Sequence, residues 1–483
     1  MATPWAQALI LLPLIGGVGA FLWPRRAPII GLVVIALLAV SVAGLGAQLI
    51  HHGVYRHMVG GWRAPLGIEL YADGLSLLLI AATVVVGAGV SVYATGYFRE
   101  PDAARFWPLW LFLLAALDAL FLSRDIFNIY VTLELLGLSA VALAALGEGR
   151  DVLGGAMRYL LATLLGSLLY LLGVAMLYHA FGTLDIGLLV ERIAPTPAAW
   201  AALALMGAGL CLKTALFPLH FWLPPAHAGA PAPISAALSA LVVKASFYVL
   251  LRMWIDVFGT LAGAADVVFG LLGAAAILWG ALQALRQVRL KLLVAYSTVA
   301  QIGYLFIAFP LAAASALAGW EAVAYLALSH ALAKAAMFLA AGNMMRFGGH
   351  DRISDLNRMA QHLPLSTWAF ALAGVSIMGL PPSGGFVGKW LLLQAALAQG
   401  RWEIAAVVIA GGLLSAAYIF RVIGQAFTQT SVMAPCEANR VSLSMEWSAL
   451  LLACGSVMLG FIAPLILSVL GIGHPFAMTG GAL

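Results

Sequence analysis

The chain has 483 residues, of which 64% are hydrophobic and only 9% are charged, and its formal net charge is +5. Soluble domains carry about 25% charged residues, so this composition excludes an ordinary soluble domain and indicates a polytopic membrane protein. Domain counting by length does not apply to such a chain.

Apolar runs of about twenty residues are typical of transmembrane helices, and they predict about fourteen spans. The predicted spans lie near residues 4–22, 28–50, 70–98, 104–122, 125–146, 153–181, 199–223, 232–255, 264–285, 291–314, 320–346, 364–399, 403–427 and 446–471. Two of them are interrupted: the seventh near Phe217 and Pro218, and the twelfth in GLPPSGGF (379–386). Irregular backbone at membrane depth is tolerated only where protein or water surrounds it.

Paired Gly/Pro interruptions in corresponding halves point to inverted repeats around an ion site at the membrane midplane. We therefore predict an all-α membrane fold of about fourteen transmembrane helices, with two inverted five-helix repeats and broken helices 7 and 12. The predicted segments are helices 1–3 in 1–103, the first repeat in 104–257, the second repeat in 258–428, and a loop with helix 14 in 429–483.

Basic residues in the loops predict the orientation, because cytoplasmic loops carry an excess of Lys and Arg. One side holds the larger set, Arg25, Arg26, Arg99, Arg105, Arg150, Arg158, Arg286, Arg289, Lys291, Arg346, Arg352, Arg358 and Arg440. The opposite side holds the smaller set, Arg56, Arg63, Arg124, Arg192, Arg252 and Arg401. This asymmetry predicts that both termini lie outside. An even number of spans requires both ends to lie on one side, so the two predictions agree.

Lysine is distributed differently from arginine. Of the 24 basic residues only five are lysines, and these are Lys213, Lys244, Lys291, Lys334 and Lys389. Four of them lie inside apolar stretches and Lys291 begins one. A lysine at the centre of a span costs roughly 2.5–3.5 kcal/mol on insertion scales, and an ammonium can lose its proton on burial whereas a guanidinium effectively cannot. A GC-rich genome would explain why lysine is rare, but not where the lysines are.

Three of the candidate residues belong to the first half of the chain. Glu134 lies in the middle of the fifth span and is expected to stay ionised only beside a cation; the alternative is a purely structural ion pair. Lys213 and Lys244 are 31 residues apart on consecutive spans and too deep for easy snorkelling. Two ammonium groups close together in a low-dielectric site cannot both stay protonated, and a proton relay requires such coupling.

The second half contributes His330 and Lys334, which share a helical face at i, i+4. Histidine titrates near neutral pH and suits proton transfer. Lys389 follows the second interruption and is the counterpart of Lys213. With Glu134, Lys213 and Lys244 these residues predict a polar line at mid-membrane depth, a pattern typical of proton routes.

Four further residues are weaker candidates. Lys291 serves either as a relay group or as a lysine that snorkels to the surface, and Ser297 and Tyr304 are placed to hold water beside it. Asp118, in the fourth span, serves a partner interface, an input channel or a structural pair.

Metal and cofactor sites are not predicted. Cys211, Cys436 and Cys454 form no CxxC or Cys/His spacing, and no nucleotide-binding glycine motif follows a strand-like run. His220 and His227 flank the proline-rich linker after the seventh span, and lining a water path suits them better than binding a metal.

Five stretches together resemble the antiporter-like proton-translocating membrane subunits of respiratory complex I, energy-converting hydrogenases and Mrp-type cation/proton antiporters. They are DIFNIYVTLELLGLSAVAL, LKTALFPLHFWLPPAHAGAPAPISAALSALVVKASFYVLLR, LLVAYSTVAQIGY, SHALAKAAMFLAAG and GLPPSGGFVGKW. The stretch ALVVKASFY differs from the bicarbonate-uptake branch, and the short tail after Gly471 leaves no room for the lateral helix of the distal complex I subunit. The resemblance is therefore closest to Mrp D-type and complex I middle subunits.

This resemblance implies an input-side pair of Glu134 and Lys213, a central relay at Lys244, continuation through His330 and Lys334, and a terminal lysine at Lys389. It implies a translocase subunit with no redox centre or cofactor of its own. Its expected partners are homologous antiporter-like subunits, small membrane subunits, a redox module and lipid, with no nucleic acid. Protons are the expected transported ion, with sodium or potassium as a second candidate.

The predicted location is the bacterial plasma (inner) membrane, crossed many times, with both termini on the periplasmic side. Two alternatives stay open. One is a quinone-interacting redox subunit, which flavin, haem or iron–sulfur spectra would identify. The other is a structural membrane subunit that does not pump.

Overall fold

The computed structural model describes residues 4–147, 149–259, 261, 263–312, 316–429 and 440–473. Its α-helices up to the first break are α1 (Trp5–Leu22), α2 (Ala27–His52), α3 (Gly74–Tyr97), α4 (Asp102–Leu122), α5 (Ile126–Ala144), α6 (Arg150–Phe181), α7 (Ile186–Arg192) and α8 (Pro197–Thr214). The central helices are α9 (Leu223–Gly229), α10 (Ala232–Ala237), α11 (Val243–Arg252), α12 (Gly263–Arg286), α13 (Leu290–Phe306), α14 (Phe309–Ala312) and α15 (Ala316–Gly348). The last are α16 (Met359–His362), α17 (Pro364–Met378), α18 (Gly384–Ala398), α19 (Trp402–Phe427), α20 (Leu443–Met458) and α21 (Ala463–Leu470). Cys436 lies outside the described residues, as do residues 430–439 of the last loop.

Shorter elements complete the described chain. Single 3₁₀ turns occupy Pro24–Arg26, Val59–Gly61, Leu219–Trp222 and Ile353–Asp355. Leu238–Val242 and Met253–Val257 are π-helical and flank α11. A small antiparallel sheet pairs β1 (Tyr55–Met58) with β2 (Glu69–Ala72), in register from Tyr55 opposite Ala72 to Met58 opposite Glu69. The sequence predicts neither this sheet nor the π-helical turns.

The membrane character of the fold is plain from the helices. Among the described residues, twelve helices are long and apolar enough to span a membrane, or thirteen if the α20–α21 pair, bent by 78°, counts as one span. Helices α17 and α18 have 15 residues each, about 22 Å at 1.5 Å per residue, which is shorter than a hydrocarbon core of about 30 Å. The all-α membrane fold is confirmed, whereas the count of fourteen stays a prediction that takes α17 and α18 together as one crossing.

Both predicted helix interruptions are present, and each has a local cause. After α8, Ala215 takes a left-handed conformation with φ 60°, and the proline-containing segment that follows restarts as α9. After α17, Gly379 has φ 81°, a conformation that glycine adopts without steric cost. Ser383 then caps α18 by accepting a hydrogen bond from the Phe386 N–H at 3.2 Å.

The helices form a buried centre and an apolar periphery. The most apolar windows of Ala232–Val257 and Gly319–Gly348 are completely buried inside the molecule, and Leu290–Leu311 nearly so. In helices α1, α2 and α19, by contrast, only 33% of the most apolar window is buried, as expected of surfaces that face lipid or another subunit. The elements with the most interior charge are therefore those farthest from lipid.

Alternating helix directions give the molecule two polar faces. The first, called here the hairpin face, carries β1 and β2. On this face the Arg124 N–H donates to the Glu69 carbonyl, and the Arg124 carbonyl accepts from the Ile186 N–H. The Gly74 N–H donates to the Ile472 carbonyl at 2.8 Å. Both ends of the described chain lie on this face, since Tyr55 also donates a hydrogen bond to Gln7.

The opposite face, called here the Arg289 face, lies at the other ends of the same helices. Arg289 forms an ion pair with Asp351 at 2.5 Å, and the Leu290 N–H donates to the Asp351 carbonyl. Arg346 reaches the Tyr97 carbonyl nearby. The termini of the described chain and this arginine-rich face are thus on opposite sides.

Candidate functional site

All five lysines lie inside the molecule. Their exposed fractions are 6% for Lys213, 3% for Lys244, 3% for Lys291, 0% for Lys334 and 5% for Lys389. By contrast, Leu161 and Leu168 on the outer side of α6 are each 61% exposed. The outer side of α6 thus presents leucine side chains, whereas all five ammonium groups lie in the interior.

Lys213 is the lysine with a carboxylate beside it. Its Nζ lies 3.8 Å from Glu134 Oε1, and it donates hydrogen bonds to Thr163 Oγ1 at 2.8 Å and Ser167 Oγ at 2.6 Å. The lysine stem passes Gly166, where an added Cβ would come within 2.8 Å of Lys213 Cγ. Glu134 stays partly open, with 23% of its side chain exposed. This arrangement is an ion pair with one end at the surface of the helix bundle.

Thr163 and Ser167 were not identified from the sequence. They are i, i+4 hydroxyl residues in an otherwise apolar helix, so they share one face of α6. That spacing is the signal that points to a polar partner on the neighbouring helix.

Lys244 sits just after the π-helical turn Leu238–Val242. Its ammonium donates to the Ser239 carbonyl at the start of that turn. A π-turn shifts the regular i→i−4 pattern and leaves carbonyls accessible, and such turns are frequent at functional sites. The distorted backbone supplies the acceptor that a buried cation requires.

Polar groups of Ser239, Thr298 and Val294 lie between Lys244 and Lys334. Ser239 Oγ lies 2.8 Å from Thr298 Oγ1, and Thr298 Oγ1 donates to the Val294 carbonyl at 3.1 Å. Lys334 donates to that same carbonyl at 3.0 Å and also to Ser297. Lys244 bonds the Ser239 carbonyl rather than its hydroxyl, and the Val294 carbonyl accepts from both Thr298 and Lys334. Neutral polar groups therefore line the space between the two ammonium groups without forming an unbroken hydrogen-bonded chain.

Lys389 is held by the broken end of α17. Its Nζ donates to the Ile377 carbonyl at 2.8 Å and the Met378 carbonyl at 3.2 Å, the unpaired acceptors of a helix C-terminus. The ammonium also lies 4.3 Å from the centre of the Tyr304 ring. Gln301 donates to the Ile377 carbonyl from α13, so Lys389 and α13 share an acceptor.

Lys291 does not snorkel. It is 3% exposed and donates to the Ala230 carbonyl at the end of α9. The sequence left snorkelling open as an alternative, and burial under α9 removes it.

The three candidate histidines differ in whether their rings stack on an aromatic side chain. The ring nitrogens of His330 are buried with no hydrogen-bond partner among the described residues. His227 stacks on Phe338 at 4.7 Å, and His220 stacks on Phe217 at 5.5 Å. No three His, Cys, Asp or Glu side chains in the described part of the chain cluster as a metal site.

Asp118 is fully buried. Neither carboxyl oxygen has a hydrogen-bond partner within the described ranges, and its exposed fraction is 0%. Asp118 thus has neither an exposed surface nor a hydrogen-bond partner among the described residues, and its role stays a prediction.

A small cavity lies between Lys213 and the helix that carries Lys244. It holds about 10 Å³ and is lined by Lys213, Thr163, Val242 and Ser246 among others. That is about the space one water needs. The site is therefore a series of buried ammonium groups on α8, α11, α15 and α18 with polar groups between them.

Arg252 was also missed as a buried residue. The sequence predicts that it lies in a loop, but it ends α11 with 7% exposure and pairs with Asp73 at 2.5 Å. Its position so close to the end of an apolar run gave no signal of burial.

Comparison with known proteins confirms the resemblance drawn from the motifs. Residues 123–415 match the family model described as NADH:quinone oxidoreductase/Mrp antiporter, TM. The NADH-quinone oxidoreductase subunit N of Desulforudis audaxviator is 37% identical over 461 residues, which cover 91% of each chain. A D-type subunit of the Na(+)/H(+) antiporter from Alkalihalophilus pseudofirmus is 30% identical over 426 residues, 86% of each chain.

A solved structure extends the likeness to the fold. A chain of the membrane-bound sulfane sulfur reductase, an archaeal respiratory membrane complex, superposes with a TM-score of 0.89 at 26% identity, over 97% of this chain and 96% of that one. Such relatives are subunits of multisubunit membrane complexes. The chain is a multi-pass membrane protein that belongs to the NADH:quinone oxidoreductase/Mrp antiporter transmembrane family.

Proposed function

We propose that the chain is a proton-translocating, antiporter-like subunit of a larger bacterial membrane complex. The observation that carries the proposal is the set of buried lysines with neutral hydrogen-bonding groups between them, above all Ser239, Thr298 and Val294 between Lys244 and Lys334. Intramembrane ionisable residues are costly and mark ion pathways.

The first step is electrostatic. At 4 Å, two unit charges attract by about 4 kcal/mol at an effective dielectric constant of 20, more than the roughly 1.4 kcal/mol that changes an equilibrium tenfold. Glu134 is partly exposed, so a neighbouring subunit has access to the pair. When a partner draws Glu134 away, Lys213 keeps its hydroxyl partners but loses its counter-charge, and its ammonium then repels a proton on Lys244 more strongly.

The later steps pass the charge across the bundle. A proton on Lys244 would pass to Lys334 through water ordered by the Ser239 and Thr298 hydroxyls, because the Ser239 and Val294 carbonyls accept hydrogen bonds but do not relay protons. From Lys334, with His330 on the same helix, the proton would move onward to Lys389. Water in the cavity beside Lys213 would complete the first link, with Lys291, His220, His227, Ser297 and Tyr304 lining the route. For the fully buried Asp118 we propose the input-channel role.

The two halves would act as related units. Each proposed five-helix unit, residues 104–257 and 258–428, contains one broken helix with a lysine beside the break, Lys213 or Lys389. Residues 1–103 and 429–483 would flank these units. Opposed broken helices are typical of inverted repeats around a midplane site.

The names of the relatives support a proposal about the partner subunits and the transported ions of this chain. One is an NADH-quinone oxidoreductase subunit and another a Na(+)/H(+) antiporter subunit. We place this chain beside homologous and small membrane subunits, in a redox-driven pump or an Mrp-type antiporter. The transported ion is the proton, with sodium or potassium as the exchanged cation in the second case.

Replacement of Lys213 tests the transport role. In vesicles containing the assembled complex, Lys213→Ala should lower proton transport at least about tenfold, because it removes the charge coupled to Lys244. The measurement is the initial proton flux per assembled complex. Arg105→Ala is the control, since Arg105 forms only an exposed pair with Asp102. Normal flux with Lys213→Ala would refute the proposal and favour a structural subunit.

The Lys244–Lys334 link has a matched pair of variants. Thr298 and Thr83 are both buried and both donate to the carbonyl four residues earlier, but Thr298 also contacts Ser239. Thr298→Val should therefore slow proton flux about tenfold, the equivalent of losing about 1.4 kcal/mol of hydrogen bonding. Thr83→Val should leave it near the wild-type value. Equal fluxes in the two variants would exclude this link.

The orientation in the plasma membrane is also open to test. We propose that the hairpin face is periplasmic, because the arginine-rich face is expected inside. In a cysteine-free background, Leu66→Cys should react with a membrane-impermeant thiol reagent added to intact cells, and Val288→Cys should not. Leu66 is 83% and Val288 66% exposed. The reverse labelling would invert the topology.

A further inference from the structure

Tyr248 stands between two cavities. It follows Lys244 by one helical turn on α11. One cavity, of about 10 Å³, is lined by Lys244 and Tyr248 together with apolar side chains of α3 and α15. The other, of about 20 Å³, is lined by Tyr248, Arg252, Asp256 and Arg124 on the hairpin side. The phenol ring thus separates the central lysine from a polar pocket near one membrane face.

Polar groups continue from the Tyr248 hydroxyl toward that face. The hydroxyl lies 3.1 Å from Ser76 Oγ and donates to the Phe121 carbonyl at 3.0 Å. Ser76 Oγ also accepts from Arg252 Nη2 at 3.4 Å. Arg252 Nη2 in turn lies 2.5 Å from both carboxylate oxygens of Asp73.

The pocket reaches partly exposed groups. Arg124 stacks over the Tyr71 ring at 4.2 Å and pairs with Glu69 at 3.7 Å. The side chains of Arg124 and Glu69 are 18% and 14% exposed. Polar groups therefore extend from the pocket to the hairpin face.

Asp73 has an ordinary structural role, since it caps α3 by accepting from the Ser76 N–H at 2.9 Å. A cap needs only the carboxylate, however, and burying an arginine beside it carries a desolvation penalty that often exceeds the Coulombic gain. Capping also gives no reason for the tyrosine hydroxyl or for a cavity on each side of the ring. The polar groups of Tyr248, Ser76, Arg252 and Asp73 therefore lie between two cavities that are not connected to each other in this conformation.

We propose that Tyr248, Ser76 and the Asp73–Arg252 pair form a second proton path, from Lys244 to the hairpin face, separate from the path that ends at Lys389. Tyr248 and Ser76 are its relay, and the Asp73–Arg252 pair is its gate. This inference rests on the proposed function, because it requires a proton on Lys244.

The transfer balances without any other reactant. The Tyr248 hydroxyl first turns its proton from the Phe121 carbonyl to Ser76 Oγ. The Lys244 ammonium then gives a proton, through one water in the inner cavity, to the Tyr248 oxygen, while the phenol proton passes to Ser76 Oγ. When Arg252 moves toward Asp256, the Ser76 hydroxyl turns to the Asp73 carboxylate in place of the guanidinium and gives it a proton. From Asp73 the proton leaves through the hairpin-side pocket. Rotation of the two hydroxyls restores the starting state, with Lys244 neutral until it is recharged.

The test uses the assembled complex in vesicles, with Lys389→Ala to close the other path. Lys389→Ala alone should keep at least about a tenth of the wild-type proton flux, and adding Tyr248→Phe should lower that remainder at least about tenfold. Adding Tyr170→Phe should not, because Tyr170 is equally buried but donates only to the Ile126 carbonyl. Flux is expressed per assembled complex, so that loss of assembly is counted separately.

Ser76→Ala is the second variant in the same background and should reproduce the effect of Tyr248→Phe, since it interrupts the relay without altering the ring. The path is overturned if Lys389→Ala alone abolishes flux, or if both relay variants match the Tyr170→Phe control. Lys213→Ala in the otherwise wild-type chain separates the two proposals: normal flux there removes the proposed function itself, whereas loss of flux there with unaffected relay variants removes only this path.

Discussion

A buried ammonium group needs hydrogen-bond acceptors, and a bilayer offers none. The protein meets this constraint with hydroxyl and carbonyl groups of neighbouring helices at Lys213 and Lys334, and with irregular backbone or helix ends at the other three lysines. Lys389 is held by carbonyls at the end of α17, Lys291 by the end of α9, and Lys244 by a π-helical turn. At these three positions the irregular backbone supplies the carbonyl acceptors that the lysine requires, and the surrounding helices keep lipid away.

The choice of acceptor sets how each lysine behaves. Among the described residues, Lys213 alone of the five lysines has a carboxylate within 4.0 Å, that of Glu134. The others are held by neutral carbonyls and hydroxyls. A lysine with neutral partners can lose its proton without leaving an unpaired counter-charge, which would be costly in the interior. Under the proposed function, control of charge would be concentrated at the Glu134–Lys213 pair, and proton exchange would be easier at Lys244 and Lys334.

Sequence patterns were sufficient for the features that depend on composition. The scarcity of lysine, the depth of Lys213 and Lys244 and the Gly/Pro interruptions all follow from residue type and spacing, and they predicted a membrane fold with two broken helices. Features that depend on how helices meet were not accessible. The π-turn before Lys244 contains LSALV, which has no distinctive composition, and Thr163 becomes a partner of Lys213 only through the packing of α6 on α8.

The central claim is that these ammonium groups act by releasing and binding protons, and arginine substitution tests it most directly, because a guanidinium keeps its positive charge but effectively cannot lose its proton. The measurement is proton flux per assembled complex for Lys244→Arg and Lys334→Arg beside the corresponding alanine variants. The account predicts that the arginine variants assemble and are as inactive as the alanine variants. Flux near the wild-type value with arginine at either position would contradict it, since a fixed charge would then suffice.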